Sequence, residues 1–210
     1  MMITEPDAAF LAELTGLAGP SEELASLRAR LAAEAEREGL LDIAYRTVST
    51  PAGDLLVAAT PRGVLKVAWP TEDPDVVLEM LAGQVSPRVL HAPARLDQAA
   101  RELDEYFAGS RTGFDLPLDL RLAHGFRLEV LQHLREIGYG ATESYAVVAA
   151  AAGSPRAVRA VGTACATNPV PVVVPCHRVV RSDGTPGAYR GGPEAKRTLL
   201  ALEHRTRAPS

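Results

Sequence analysis

The residues best suited to chemistry are a cysteine and a histidine side by side, Cys176 and His177, between two runs of β-branched residues. Residues 172–174 predict a short buried strand, and Pro175, which lacks an N–H, predicts that the strand ends in a turn at Cys176. An adjacent histidine can lower the pKa of a thiol and so raise the fraction of thiolate, the nucleophilic form. The alternative is a structural cysteine beside a solvent-facing histidine, because neighbours in a strand point to opposite faces.

Further motifs flank this pair in a fixed order. They are Tyr145 after Ser144, Arg159-Ala160-Val161-Gly162, Asn168-Pro169-Val170-Pro171, Pro175-Cys176-His177-Arg178-Val179, Ala188-Tyr189-Arg190-Gly191-Gly192 and, last, Glu203. Together they closely resemble the active site of the O6-alkylguanine-DNA alkyltransferases, the methylated-DNA–protein-cysteine methyltransferase family. The resemblance covers residues 126–203 closely and residues 41–120 more loosely.

The resemblance implies that Cys176 takes the alkyl group from O6-alkylguanine in DNA, once and irreversibly, without a cofactor. O4-alkylthymine stays open as a second substrate. His177 is then expected to remove the thiol proton through a water molecule, and Glu203 to accept a hydrogen bond that orients His177. Asn168 is expected to hold the loop that carries Cys176, through side-chain bonds to the backbone, and Tyr145 to donate a proton near guanine N3. The alternatives are a turn role for Asn168 and a surface position for Glu203.

The DNA-binding part is predicted to be a helix-turn-helix. Residues 143–152 and 156–166 predict two helices joined at Gly153, with Ser154 and Pro155 beginning the second. Small residues such as Ala160 and Gly162 dominate that helix and would let it approach a minor groove closely. The resemblance assigns Ser154, Ala160 and Gly162 to the DNA contact. It also assigns Arg159 to the gap left by a flipped nucleotide, with a phosphate contact or a surface ion pair as the alternative.

The resemblance also predicts a pocket for the flipped base. Pro171 and Tyr189 are expected to form its walls, and backbone groups of Cys176 and Val179 to read the guanine edge. Arg190 stands where some relatives carry a serine near the lesion. This departure bears on the hydrogen bond to O6 and on the size of alkyl group that the pocket accepts.

The charge is distributed unevenly along the 210 residues, although the formal net charge is only −4. Residues 121–210 hold 12 Lys or Arg against 6 Asp or Glu, whereas residues 1–120 hold 10 against 20. A local basic surface governs attraction to phosphates more than the net charge of the whole chain does. The asymmetry therefore fits double-stranded DNA as the partner of the C-terminal part, with an ordinary charged surface as the alternative.

The fold class is predicted to be mixed α/β (α+β), in three parts. Residues 1–40 are predicted to be a helical extension of unknown role, with a helix over 7–17 and a second beginning at Ser21. The stripe of Leu24, Leu27 and Leu31 on the second helix predicts packing on its own domain, with a partner-binding arm as the alternative. Residues 41–120 predict a ribonuclease-H-like domain with a three-stranded antiparallel meander. In this domain the meander is followed by a helix over 74–84, a short strand over 88–91, a helix over 94–108 and an extended segment over 114–116. A linker over 117–123 leads to a winged-helix-like helix-turn-helix domain over 121–210, which begins with an amphipathic helix over 125–137 and ends with a helix over 194–204.

Composition excludes several function classes. No run of eighteen apolar residues predicts a membrane span, and the acidic N-terminus does not fit a secretory signal. We therefore expect a cytoplasmic protein. Two cysteines far from any C-x-x-C spacing predict neither a disulfide framework nor a cysteine-rich metal site. Three rival functions remain: a cysteine peptidase, a helix-turn-helix regulator and a lesion-binding protein without catalysis.

Overall fold

The computed structural model describes residues 21–207 and separates two compact units, Met1–Leu41 and Asp42–Ser210. In the first unit, helix α1 spans Ser21–Arg37, and the helix predicted over 7–17 lies outside the described residues. Helix α1 buries Ala32 and Ala35, whereas Leu27 and Leu31 are 52% and 58% exposed. The predicted packing of the leucine stripe is therefore wrong at these two positions, because the helix buries an alanine face instead.

The second unit begins with a four-stranded sheet. Strands β1 (Ile43–Val48), β2 (Leu55–Thr60) and β3 (Gly63–Ala68) form the predicted antiparallel meander, which is thereby confirmed. Strand β4 (Val89–His91) pairs in parallel with β1, so the order across the sheet is β3-β2-β1-β4. Every residue of β2 and β3 is buried, as expected for strands whose two faces are both covered.

Helices cover this sheet. Helix α2 spans Pro74–Gln84 and is capped by Asp73, whose carboxylate accepts from the Asp75 N–H. Its apolar side chains Val77 and Leu81 join the sheet residues Ile43, Leu56, Ala58, Leu65 and Ala68 in one buried cluster. The helix predicted over 94–108 is split into a short 3₁₀ turn, Pro93–Leu96, and helix α3, Asp97–Phe107. Helix α3 buries Leu103 and Tyr106 completely.

The segment after α3 leads along the sheet. Residues 114–116, predicted as an extended segment, form no strand, and the predicted linker over 117–123 packs against the sheet. Leu118 forms a parallel bridge with Val64, and buried Asp119 accepts a hydrogen bond of 2.7 Å from Thr60. Gly63 permits this approach, because a Cβ there would lie 2.2 Å from the Pro117 carbonyl oxygen and its φ is +135°. The sheet edge thus holds the linker in place.

The C-terminal part is largely helical. Helix α4 (Phe126–Leu134) buries Val130, Leu131 and Leu134, in agreement with its predicted apolar face. The predicted helix over 143–152 divides into strand β5 (Glu143–Ser144) and helix α5 (Tyr145–Ala151), with Ser144 as its N-cap. The chain continues as α6 (Val158–Ala166), β6 (Val179–Val180), which pairs in parallel with β5, and α7 (Gly192–Arg207).

Two local predictions near the site are wrong. Helix α6 begins at Val158 instead of Arg156, because Ser154 and Pro155 belong to a turn in which the Ala157 N–H donates to the Ser154 carbonyl. Residues 172–174 form a turn instead of a strand, with the Val174 N–H bonded to the Val170 carbonyl at 2.8 Å. Val172 has φ +73°, the one positive φ outside glycine within residues 21–207. A β-branched residue in this region is strained.

Candidate active site

Cys176 opens a short 3₁₀ turn, Cys176–Arg178, directly after Pro175. Its side chain is nearly inaccessible, since the residue is 2% exposed. The Asn168 Nδ2 group lies 3.2 Å from the sulfur and donates to the Val174 carbonyl at 2.9 Å, while its Oδ1 accepts from the Val170 N–H. Asn168 therefore ties the strained turn to the sulfur, which is a closer contact than the backbone role expected from the resemblance.

His177 is completely buried, so it is not a solvent-facing residue. Its Nε2 lies 2.9 Å from Oε1 of Glu203, which α7 supplies from 26 positions further along the chain. This contact fixes the tautomer with a proton on Nε2 when the carboxylate is ionised. His177 Nδ1 is buried and makes no hydrogen bond to any residue in the described part of the chain. That nitrogen is the ring atom able to accept a proton.

The Glu203 carboxylate has a full set of donors besides His177. Tyr106 donates its hydroxyl proton to Oε1 at 2.6 Å, the Gly140 N–H donates to Oε2 at 2.9 Å, and the Arg178 guanidinium donates from Nε and Nη2 at 2.9 to 3.2 Å. Glu203 itself is 1% exposed. A buried carboxylate needs such partners to stay ionised. The prediction of a surface position for Glu203, kept as an alternative, is therefore wrong.

The protonation states follow from burial and from these contacts. Burial raises the pKa of Cys176, and the hydrogen bond from Asn168 offsets this only in part. Burial also lowers the pKa of His177, and this effect is larger than that of Glu203, which raises it. The thiol and the imidazole are both neutral near pH 7. A neutral imidazole has no charge that would lower the pKa of the neighbouring thiol in the resting protein.

Burial would also raise the pKa of Glu203. The hydrogen bonds from His177 and Arg178 outweigh this effect and hold the pKa well below its usual value. Glu203 is thus a fixed negative charge next to a neutral histidine. It stabilises the imidazolium whenever His177 takes up a proton.

Residues 181–191, here called the active-site loop, contain Tyr189, one of the two residues expected to form the walls of the pocket. The Tyr189 ring lies 6.4 Å from the His177 ring, centroid to centroid, and burial together with Cys176 raises the pKa of Tyr189. Tyr145, at the start of α5, packs against the loop so closely that a Cβ on Gly187 would lie 2.2 Å from its hydroxyl oxygen. Pro171 is buried in the strained turn.

Backbone groups expected to read the guanine edge already have protein partners. The Cys176 N–H donates to the Val174 carbonyl at 2.8 Å. The Val179 carbonyl accepts from the buried Lys196 Nζ at 2.6 Å, and this ammonium also lies 5.9 Å from the Tyr189 ring centroid. Arg190 is engaged elsewhere, with its Nη1 3.1 Å from the Ala166 carbonyl oxygen.

Helix α6 has a buried face and an open face. Val161, Ala164 and Cys165 are buried, whereas Arg159, Ala160 and Thr163 are exposed and Gly162 is half-exposed. A Cβ on Gly162 would meet no atom within 4 Å. Ser154 is half-buried in the turn before the helix. The exposed face therefore presents one arginine among small side chains, a shape that admits close approach to a groove.

Three residues of the site were not predicted from the sequence: Tyr106, Arg178 and Lys196. Tyr106 comes from α3, in the sheet-containing part of the chain, and no local pattern relates it to Glu203, 97 positions away. Arg178 lies inside the motif already quoted, so its position next to His177 was the available signal. Beyond its place on the last helix, no sequence signal indicated that Lys196 belongs to the site, because a buried lysine is rare.

Neither a metal site nor a membrane span is found in the part of the chain that the structure describes. No three His, Cys, Asp or Glu side chains within residues 21–207 are grouped as metal ligands. Over the same residues, no helix combines the length and the hydrophobicity that a membrane crossing requires. The side chains that the structure brings together at Cys176 are a thiol, an imidazole, a carboxylate and their donors.

Comparisons with known proteins cover most of the chain. Residues 43–120 match the family model described as "6-O-methylguanine DNA methyltransferase, ribonuclease-like domain", and residues 125–205 match "6-O-methylguanine DNA methyltransferase, DNA binding domain". The methylated-DNA–protein-cysteine methyltransferase of Mycolicibacterium paratuberculosis is 40% identical over 165 residues, which are 78% of this chain and 93% of that protein.

Two further proteins are similar to this chain. The protein in the crystal structure of Mycobacterium tuberculosis OGT in complex with DNA is 36% identical in sequence, and the comparison of the two structures gives a TM-score of 0.68 and covers 78% of this chain and 94% of that one. The bifunctional transcriptional activator/DNA repair enzyme Ada of Escherichia coli is 39% identical over 165 residues. This chain spans 46% of the length of Ada, in contrast to its nearly complete coverage of the two mycobacterial proteins.

Proposed function

This chain belongs to the methylated-DNA–protein-cysteine methyltransferase family, and from this premise we propose that it repairs O6-alkylguanine in DNA by irreversible transfer of the alkyl group to Cys176. The observation that carries the proposal is the buried arrangement at the sulfur, with Asn168 bonded to Sγ and the neighbouring His177 paired with Glu203. A neutral thiol beside a neutral histidine can be ionised by one proton transfer.

The first step is removal of the thiol proton. Nε2 of His177 is held by Glu203, so Nδ1 is the atom that accepts the proton, directly or through one water molecule. The imidazolium that forms is stabilised by the ionised Glu203. Ionisation of Cys176 thus occurs only during the reaction, which protects the buried sulfur from other electrophiles.

The second step is attack of the thiolate on the alkyl carbon, in line with the bond to O6. A carbon–sulfur bond forms, the carbon–oxygen bond breaks, and its electron pair passes to guanine. Guanine leaves more easily when it takes up a proton, and we assign Tyr145 as the donor near N3. The product is a thioether, which offers no leaving group to water, so each molecule reacts once.

The target base must leave the DNA stack before it can react, because Cys176 is 2% exposed. We assign the exposed face of α6 to the minor groove and Arg159 to the gap that the flipped base leaves. Ser154, Ala160 and Gly162 are assigned to the groove contact, and Pro171, Val179, Tyr189 and Arg190 to the pocket. Residues 121–210 would then bind DNA and transfer the alkyl group, and residues 41–120 would support the site.

We place the reaction in the cytoplasm. Both cysteines of the chain are free, and the proposed acceptor must stay a reduced thiol until it meets its substrate. A reducing compartment keeps thiols in that state.

The stoichiometry of repair tests the proposed reaction. With substrate in excess, we expect the amount of guanine restored in a duplex oligonucleotide with one O6-methylguanine to stop at one equivalent of the protein, and the remaining substrate to stay unrepaired. The restored guanine is measured by chromatography of the digested oligonucleotide at several protein concentrations. Repeated turnover, or hydrolysis of an ester substrate, would instead favour a hydrolytic cysteine enzyme.

The role assigned to Arg159 predicts a difference between substrates. Arg159→Ala is expected to slow repair in duplex DNA by about tenfold to a hundredfold, because extrusion of a base costs a few kcal/mol that the inserted side chain offsets in part. Reaction with free O6-benzylguanine needs no extrusion and should keep its rate. Rate constants for both substrates are measured with wild type and variant.

Arg156→Ala is the matched control, since Arg156 is an exposed arginine in the turn before α6. It removes the same charge near the same surface and should weaken DNA affinity without a specific loss of duplex repair. An equal loss on duplex DNA and on the free base in Arg159→Ala would refute the flipping role.

A further inference from the structure

The end of strand β3 and the residues after it hold the active-site loop. Glu72 lies at the centre of these contacts: its Oε2 is 2.9 Å from Lys66 Nζ and 2.9 Å from Arg190 Nε, and its Oε1 accepts from the Trp69 N–H at 3.1 Å. The Glu72 and Lys66 side chains are 12% and 5% exposed. The Glu72–Lys66 pair is therefore much less screened than a surface pair, whereas the Arg190 side chain, which is 39% exposed, is only partly shielded.

Arg190 makes a second contact, to the helix on the proposed DNA side. Its Nη1 donates to the carbonyl of Ala166, the last residue of α6. A cation is favourable at a helix C-terminus, where unpaired carbonyls collect. Arg190 thus joins Glu72, the active-site loop and the end of α6 at one point.

Trp69 fixes the residues on either side of Arg190. A Cβ on Gly191 would lie 2.5 Å from the indole ring, so the backbone of the loop packs directly on Trp69. The Tyr189 ring contacts the same indole edge to face, with centroids 5.6 Å apart. Because Tyr189 also lies beside His177, the indole sets the position of the aromatic ring next to the reactive residues.

We propose that Glu72 is a positioning residue that, through Arg190, holds Tyr189 in place beside His177 and thereby limits the size of the alkyl group that the pocket accepts. This inference rests on the proposed alkyl transfer. Nε and Nη1 of the Arg190 guanidinium are bonded to Glu72 and Ala166, so the side chain anchors the active-site loop. Its effect on the substrate is exerted through the loop that it anchors.

The test compares two duplex oligonucleotides that differ only in the alkyl group, one with O6-methylguanine and one with O6-benzylguanine. Glu72→Gln removes the charge but keeps the size of the side chain. We expect the ratio of the benzyl to the methyl rate constant to rise about fivefold or more, since pocket contacts with a few carbon atoms discriminate by factors of about ten to two hundred. A merely structural role would lower both rate constants together and leave the ratio unchanged.

A second variant keeps the test independent of folding. Glu72→Gln leaves the buried Lys66 without its carboxylate, whereas Arg190→Gln leaves the pair of Lys66 and Glu72 intact. We expect Arg190→Gln to raise the ratio at least as much, because it also removes the contact with the Ala166 carbonyl. The double variant should add nothing beyond Arg190→Gln, because the effect of Glu72 is exerted through Arg190. Asp97→Asn is the matched control, since it breaks another arginine–carboxylate pair of the same domain, with Arg46 at 2.8 Å.

The outcomes separate the inference from the function on which it rests. If wild type does not transfer either group, the proposed function fails. If wild type transfers both and the ratio in Arg190→Gln and Glu72→Gln equals that of Asp97→Asn, the function stands and the positioning role of Glu72 is refuted. A ratio raised in the two variants and not in the control supports it.

Discussion

Cys176→Ala is expected to abolish alkyl transfer and to leave DNA binding intact. The substitution removes the sulfur that receives the alkyl group, and no other side chain of the site is a comparable nucleophile. Cys165 cannot take its place, because burial strongly raises the pKa of that thiol and the residue lies on the inner face of α6. The exposed face of the same helix, with Arg159, is untouched by the change.

Two measurements on the same preparation check this result. Transfer is followed with a duplex containing O6-methylguanine, and affinity with fluorescence anisotropy of the same duplex. Cys165→Ala is the matched control, which removes the other thiol and should retain transfer. Transfer that persists in Cys176→Ala would exclude Cys176 as the acceptor, and loss of DNA binding together with transfer would indicate a folding defect instead.

Glu203→Gln is expected to lower both stability and reaction rate. The change leaves the buried Arg178 without its carboxylate, and loss of one partner of a buried ion pair costs about 3–5 kcal/mol in the free energy of unfolding. It also deprives His177 of the charge that stabilises its protonated form. A positioned base contributes roughly 10²–10⁴-fold to rate, so we expect a loss of about this size.

The stability difference should depend on pH in a defined direction. The pKa of Glu203 in the folded protein lies below its ordinary value of 4.5, so the folded state binds fewer protons and the stabilisation is complete above that value. It is lost as the pH falls further. Urea unfolding of wild type and Glu203→Gln should therefore differ most near neutral pH and converge in acid.

Glu194→Gln is the control for this experiment. Glu194 lies on the same helix, its side chain is 84% exposed, and it pairs with Arg197 at the surface. Its replacement should change neither the stability nor the transfer rate measurably. A Glu203→Gln protein as stable as wild type at neutral pH would contradict the buried network around this carboxylate.

The sequence was most informative where the chemistry lies in one short run. Cys176 and His177 were evident as neighbours, and the motif match placed Glu203 with them although α7 is far along the chain. The meander was readable because turn residues separate its apolar runs. These features depend on local pattern or on a contiguous motif.

The features that could not be predicted depend on tertiary contacts. The β-branched residues 172–174 favour an extended strand, yet the fold bends them into a turn with Val172 at φ +73°. The pKa of Cys176 follows from burial, which sequence adjacency to a histidine does not report. Tyr106 and Glu72 reach the site across 97 and 118 positions, and nothing in their own segments indicates a partner.

The central claim is that one alkyl group ends on the sulfur of Cys176. Intact-protein mass spectrometry with peptide mapping, after incubation with an oligonucleotide containing a single O6-methylguanine, tests it most directly. We predict the gain of one methyl group, located on Cys176, with O6-methylguanine DNA and no gain with undamaged DNA of the same sequence. An unchanged mass in folded protein with a reduced thiol, or a methyl group on another residue, would contradict the account.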